Sequence, residues 1–199
     1  MRLNKLVLIL MVFVLGTGAV FAQGERPASP RGEASTQIGG KWIVVDYGRP
    51  ILRGRRGVFG PDQDYGKKLY AGAPVWRLGA NKSTRINTEI DLMFGDKKLP
   101  AGEYSMFAEL GQSGWTLIFS NHAAKNTGRG PGEGIWGAYN YDSSKDVIRV
   151  PMRTEMLQNS IDQFTIVFMD VTENGGVLGF AWDNVMGGCA FTVETPKAG

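Results

Sequence analysis

The chain has 199 residues, 43% of them hydrophobic and 11% aromatic, with 22 Lys and Arg against 19 Asp and Glu. That length and apolar share support one domain with a sizeable core, and the near balance of charge removes any electrostatic reason to expect nucleic acid or an anionic membrane as a partner. The single Cys189 excludes an internal disulfide.

Arg2 and Lys5 precede an apolar run over residues 6–15 and the small-x-small pattern Val20-Phe21-Ala22, which predicts a signal peptide over 1–22, cleaved after Ala22. The run is too short and wrongly flanked to span a membrane. With no Cys at the cleavage point, a lipid anchor there is excluded. The expectation is a soluble, exported protein, periplasmic or extracellular, with no stable membrane insertion once the peptide is removed. Arg2 and Lys5 leave with it, so 20 basic side chains then face 19 acidic ones.

Residues 23–34 hold Pro27, Pro30 and glycines with little apolar content and read as a mobile leader, which puts the folded domain at 35–195. Strands over 35–38 and 41–47 flank Gly39-Gly40, a pair suited to a two-residue hairpin turn. In the second, Trp42, Val44 and Asp46 alternate with Ile43, Val45 and Tyr47, which predicts a central strand with two largely apolar faces. Arg49-Pro50 ends it, because Pro has no N–H to donate. A long loop follows over 54–74, basic through Arg53, Arg55, Arg56, Lys67 and Lys68, with room for one short helical turn. From Thr84 to Phe94, Thr84, Ile86, Thr88, Ile90, Leu92 and Phe94 share one parity, predicting a strand with one buried face. Further strands are expected over 104–110, 115–120, 146–152, 163–172, 177–182 and 189–194, with a helical turn over 153–160 and a turn at 174–176. About nine short strands with turn signals between them predict an all-β domain, a single antiparallel β-sandwich of jelly-roll type, with a closed barrel as the alternative.

Several motifs fail on their surroundings. Gly132-Glu133-Gly134-Ile135-Trp136-Gly137 spells the dinucleotide fingerprint, yet Pro131 precedes it and an aromatic, strand-like run follows, where the chemistry needs a helix N-terminus. Residues 60–67 miss the phosphate-loop spacing by one, and 62–73 lack the Gly and Glu of a calcium loop. One His and one Cys give no zinc ligand set. No G-x-S-x-G elbow accompanies His122, and Cys189 shares a strand face with Phe191 and Val193, as a core thiol does. No catalytic residue, metal or cofactor is predicted.

The mixture Trp76-Arg77-Leu78-Gly79-Ala80-Asn81 is what neither a plain core nor a plain loop requires. Two arrangements are open to Arg77. It clamps loops to the sheet through Asp46 or Asp142, or it converges with Arg49 and Asn81 on a ligand beside a stacking wall of Trp136, Tyr139 and Tyr141. The candidate binding residues are therefore Arg49, Arg77, Asn81, Trp136, Tyr139 and Tyr141.

The same residues carry a family likeness. Val75-Trp76-Arg77-Leu78-Gly79-Ala80-Asn81 with Thr84, Leu99-Pro100-Ala101-Gly102-Glu103-Tyr104-Ser105, Trp115-Thr116-Leu117-Ile118-Phe119 and Trp136-Gly137-Ala138-Tyr139-Asn140-Tyr141-Asp142 resemble the DUF2911 family, as do Arg49-Pro50 and Val58-Phe59-Gly60. The resemblance spans roughly 35–194. It implies an exported bacterial β-protein and supplies no reaction. An asparagine synthetase label carried by some relatives implies a nucleotide loop and an N-terminal nucleophilic cysteine, and this chain has neither. Leu78 stands where the family usually has Thr, and the glycine-rich 126–134 lengthens the segment before Trp136. Both departures fall beside the candidate site.

The leading expectation is a non-catalytic binding module of the cell envelope that holds a small polar ligand or a glycan. One rival is a carboxylate-based hydrolase acting on glycans, drawing on Glu103, Glu109, Asp142 or Asp146, two of which would have to stand about 5 to 9.5 Å apart in a cleft. The other is an envelope scaffold that presents the basic loop over 53–68 to an acidic partner. The sequence sets no oligomeric state.

Overall fold

A computed structural model of the chain describes residues 28–193. The expected signal peptide over 1–22 and the start of the leader lie outside them. β1 (Arg31–Ile38) and β2 (Lys41–Gly48) pair antiparallel from Arg31↔Gly48 to Ile38↔Lys41. Gly39 and Gly40 turn between them with φ of 57° and 76°, the two positive angles that a primed hairpin turn requires. β1 starts four residues ahead of the expected strand, where the Arg31 guanidinium pairs with Asp46 across the ladder. β2 is central, between β1 and β3 (Thr84–Thr88), but only one of its faces is apolar and buried. Ile43, Val45 and Tyr47 enter the core, while Trp42 is 47% exposed.

The remaining strands are β4 (Leu92–Phe94), β5 (Lys97–Leu99), β6 (Gly102–Gly111), β7 (Gly114–Ser120), β8 (Asp146–Thr172) and β9 (Gly175–Val193). They form one antiparallel sheet in the order β1-β2-β3-β6-β7-β8-β9-β4-β5. A single turn of helix, α1 (Lys67–Tyr70), sits in the basic loop. The architecture is all-β, as the turn spacing predicts.

Three expectations need correcting. The alternating run over 84–94 is two strands, with burial alternating within each and lapsing at Ile90 and Asp91, which are both half-buried. At the break the Thr88 hydroxyl donates to Ile90 O at 2.6 Å and accepts from Ile90 N–H at 3.3 Å, so β3 pairs with β2 and β6 while β4 crosses to β9. Residues 153–160, expected as a helical turn, continue β8, because Arg153, Thr154, Glu155 and Met156 find partners in Gly188, Gly187, Met186 and Val185. The loop expected after Trp182 is likewise strand, part of β9.

β8 is shared between two leaves. Its first stretch pairs with β7, from Ser120↔Asp146 to Trp115↔Met152, and the rest pairs with β9. One core lies between the leaves, joining Ile43, Val45, Ile86, Met106 and Leu117 to Phe164, Ile166, Phe180 and Phe191. The chain after β2 closes the far side. Phe164 N–H donates to Pro50 O at 2.9 Å, Leu52 N–H to Asp162 O at 2.8 Å, and Ile166 N–H to the Tyr47 hydroxyl at 3.0 Å. A second, smaller apolar cluster lies on the other face of β6 and β7, where Phe107 and Ile118, of opposite parity to Met106 and Leu117, meet Val75, Ile135 and Ala138. Two loops therefore cover that outer face, and the candidate site lies where they meet.

Candidate functional site

The first loop is fixed by Trp76. Its backbone N–H and C=O exchange 2.8 Å bonds with Ala108 of β6, and its ring stands edge-on to Phe59, Trp115 and Phe164 and parallel to Trp182. The Thr84 hydroxyl then donates to Leu78 O at 2.6 Å, which holds the turn between them. Leu78 and Asn81 both take left-handed angles, with φ of 47° and 63°. With Trp76 facing the core, the next side chain, Arg77, faces the second loop.

That loop is pinned where Ile135 bridges Ala124 and where the Ser83 hydroxyl lies 3.2 Å from Ile135 O and 2.6 Å from Gly137 O. Gly137, at φ 66°, lies directly under Arg77, and a β-carbon there would overlap the guanidinium. Only glycine meets both demands. Arg77 is 6% exposed, and its guanidinium donates from Nη1 to Asn81 O at 3.2 Å and stands 4.8 Å from the Tyr139 ring centroid. Neither Asp46 nor Asp142 reaches it. Asp46 pairs with Arg31 and Arg85, and Asp142 accepts from Ser144 N–H at 2.9 Å. Among the described residues no carboxylate pairs with Arg77.

Arg77, Asn81 and Tyr139 line one cleft of about 470 Å³. Trp136 lines an adjoining cavity of about 410 Å³ that shares Tyr139 and Arg129 with the cleft. The other two candidates lie elsewhere. Arg49 donates from Nε to Phe164 O at 3.3 Å and from Nη2 to the Thr165 hydroxyl at 3.1 Å, which ties the end of β2 to β8. Tyr141 is turned away from Tyr139 by Asn140, whose φ is 63°, and packs against Phe107 and His122. Its hydroxyl donates to Asp146 at 2.5 Å, and burial with that acceptor raises its pKa.

Arg129 is the residue that the sequence argument missed. Its guanidinium stands 4.7 Å from the Tyr139 centroid, on the ring that Arg77 also approaches, and Nη2 donates to the phenol oxygen at 2.8 Å. The Arg77 hydrogen bond, then the two nearby positive charges, hold the Tyr139 phenol below its ordinary value of 10.0. The one available signal was a lone arginine inside the glycine-rich 126–134. Beside it, Lys125 is 6% exposed and donates to the carbonyls of Gly130 and Gly132, so the glycine loop wraps an ammonium group.

Across residues 29–191 the chain matches the family model for DUF2911, described as a protein of unknown function. The chain belongs to the DUF2911 family. No curated protein and no solved structure matches it.

The four carboxylates considered for hydrolysis in this DUF2911 protein are partnered outside the cleft. Glu103 pairs with Arg85 at 2.9 Å, Glu109 and Asp146 both pair with Arg149, and Asp142 caps the 3-10 turn Ser143–Lys145. Among the described residues no three His, Cys, Asp or Glu side chains come together as a metal site, and no helix is long and apolar enough to cross a membrane. Burial pushes the Cys189 thiol up to about 12, so it stays protonated at neutral pH.

His122 is a structural residue. Asp142 N–H donates to its Nε2 at 2.9 Å, and the ring packs against Tyr141 and the edge of Phe107. Burial lowers its pKa from 6.5. Folding therefore favours the neutral ring. The stability it contributes is complete above pH 6.5 and is lost as the pH falls from there through the folded-state value. Urea denaturation across this range should show wild type weakening on acidification while His122→Gln, which cannot take up the proton, stays flatter. Parallel curves would refute this role.

Proposed function

We propose that this DUF2911 protein is a non-catalytic binding module, exported to the cell envelope, that holds a small polar ligand in the cleft lined by Arg77, Asn81 and Tyr139. The observation that carries the proposal is the Arg77 guanidinium, withdrawn from solvent beside a cavity and left without a carboxylate. A buried charge of this kind is costly unless something neutralises it, and a ligand entering the cleft is placed to do so. Trp136 and Tyr139 supply aromatic faces for a ring, and Arg77 with Asn81 supplies donors that fix orientation.

The test is a thermal-shift screen of the processed protein against glycans, amino acids and small acids. A saturating ligand at about a hundred times its Kd should raise Tm by about 5–10 °C. Arg77→Gln should abolish that rise. Because the readout is the difference made by the ligand, a lower baseline Tm in the variant does not obscure it. Absence of any response, or a rise that persists undiminished in Arg77→Gln, would overturn the proposal.

A further inference from the structure

We infer that the ligand of this cleft is a small polyanion, carrying two or more phosphoryl or carboxylate charges, and that Arg129 and Lys68 grip it together with Arg77. The inference rests on the binding role proposed for the cleft and goes further by fixing the ligand's charge.

Five cationic side chains line the cleft, Arg53, Arg55, Lys68, Arg77 and Arg129, and no Asp or Glu does. On a chain whose positive and negative residues nearly balance, composition alone does not produce such a wall. The acids are used elsewhere. Arg31 has Asp46, Arg85 has Glu103, and Arg149 has Glu109 and Asp146. Arg31, Arg85 and Arg149, all away from the cleft, are thus paired with carboxylates, whereas Arg77 and Arg129 face the same phenol ring from 4.8 and 4.7 Å. Both positive charges gather on one side chain with no carboxylate among the cleft's lining residues, and an anion that reaches both offsets their mutual repulsion while accepting N–H donors.

The cations differ in their freedom to take part. Arg55 already donates to Leu52 O and Ile51 O at 2.9 and 2.8 Å and lies over the Trp182 ring, so it forms wall rather than grip. Arg77 is held by Asn81 O and the Tyr139 phenol and Arg129 by the Tyr139 phenol, all neutral oxygens, which leaves N–H donors on both guanidinium groups for an anion. Lys68 belongs to α1, which stands at the cleft's margin. The adjoining cavity continues the pattern, since Lys125 and Arg129 line it with Trp136 and it holds no acidic residue. A ligand longer than the cleft thus keeps a cationic lining and gains an indole face. The cleft's small volume of about 470 Å³ suits a metabolite-sized anion rather than a nucleic acid backbone, which needs a long basic track.

Isothermal titration of the processed protein at low salt tests the inference with four probes: pyrophosphate, citrate, glucose and N-acetylglucosamine. One of the two anions should bind, and which one does separates phosphoryl from carboxylate recognition. Its affinity should fall about tenfold in Arg129→Gln and further in Arg129→Gln/Lys68→Gln, and it should weaken several-fold when salt is raised to roughly 0.2 M. If a neutral sugar binds instead, with the same dependence on Arg77, the cleft is a binding site but the charge assignment is wrong. Anion binding that ignores Arg77, Arg129 and Lys68 also overturns the inference, as does binding only to an oligonucleotide added as a control. No heat from any probe overturns it too, and with a flat thermal-shift screen removes the binding role as well.

Discussion

Trp76→Ala is expected to destabilise the protein by about 3–5 kcal/mol, the range for removing a large buried aromatic, and to lower Tm by about 10 °C or more. Trp76 is 1% exposed, and its ring touches the rings of Phe59, Trp115, Phe164 and Trp182, which come from one loop and from strands of both leaves. No smaller movement refills that volume, because each neighbour is itself held against another, as Phe59 is against Tyr65 and Phe164 against Tyr47. The internal control is Trp42→Ala, where the residue is 47% exposed and the loss should stay within about 1 kcal/mol. Equal losses for the two tryptophans in urea denaturation would mean that the core is not centred on Trp76.

Asp183→Ala should cost about 3 kcal/mol, for a different reason. Asp183 is 4% exposed and accepts from Gly57 N–H at 2.6 Å, Val58 N–H at 3.2 Å and the Ser160 hydroxyl at 3.0 Å. Hydrogen bonds to a charged acceptor contribute more than neutral ones, and removing the carboxylate leaves three donors without a partner. The residue also sits at φ 52°, which Asp tolerates better than Ala. Asp183→Asn, which keeps the shape and one acceptor oxygen, should lose less. Amide exchange supplies the local check. The Gly57 and Val58 amides should lose protection in Asp183→Ala while those of β6 and β7 keep theirs. Were Gly57 to exchange at the wild-type rate, the anchoring role would be wrong. The loop so tethered carries Arg53 and Arg55, so the same variant should weaken whatever the cleft binds.

The sequence made the fold legible where local chemistry decides it. Gly39-Gly40 specified its hairpin because both turn positions need positive φ, and parity from Thr84 to Phe94 gave the buried face because side chains alternate whatever sheet they join. It was silent where partners decide. Arg153-Thr154-Glu155-Met156 has little intrinsic strand preference, and only the backbone of Val185 to Gly188 makes it one. The site divided in the same way. Arg77, Asn81 and Tyr139 were findable because an arginine embedded between Trp76 and Leu78 must be explained. Arg49 was misplaced because nothing in Arg49-Pro50 says that the guanidinium turns toward β8. Tyr141 was misplaced because Asn140 takes a left-handed angle, which no strand parity anticipates.

The strand shared by both leaves sets how the molecule comes apart. Every residue of β8 belongs to one uninterrupted chain segment, so neither leaf can open without disturbing the edge on which the other depends. Breathing motions should therefore stay confined to the loops. The slowest-exchanging amides of β2, β7 and β9 should all report a single opening free energy, equal to that of global unfolding. Pairing segments so distant along the chain also predicts slow refolding, set by topology.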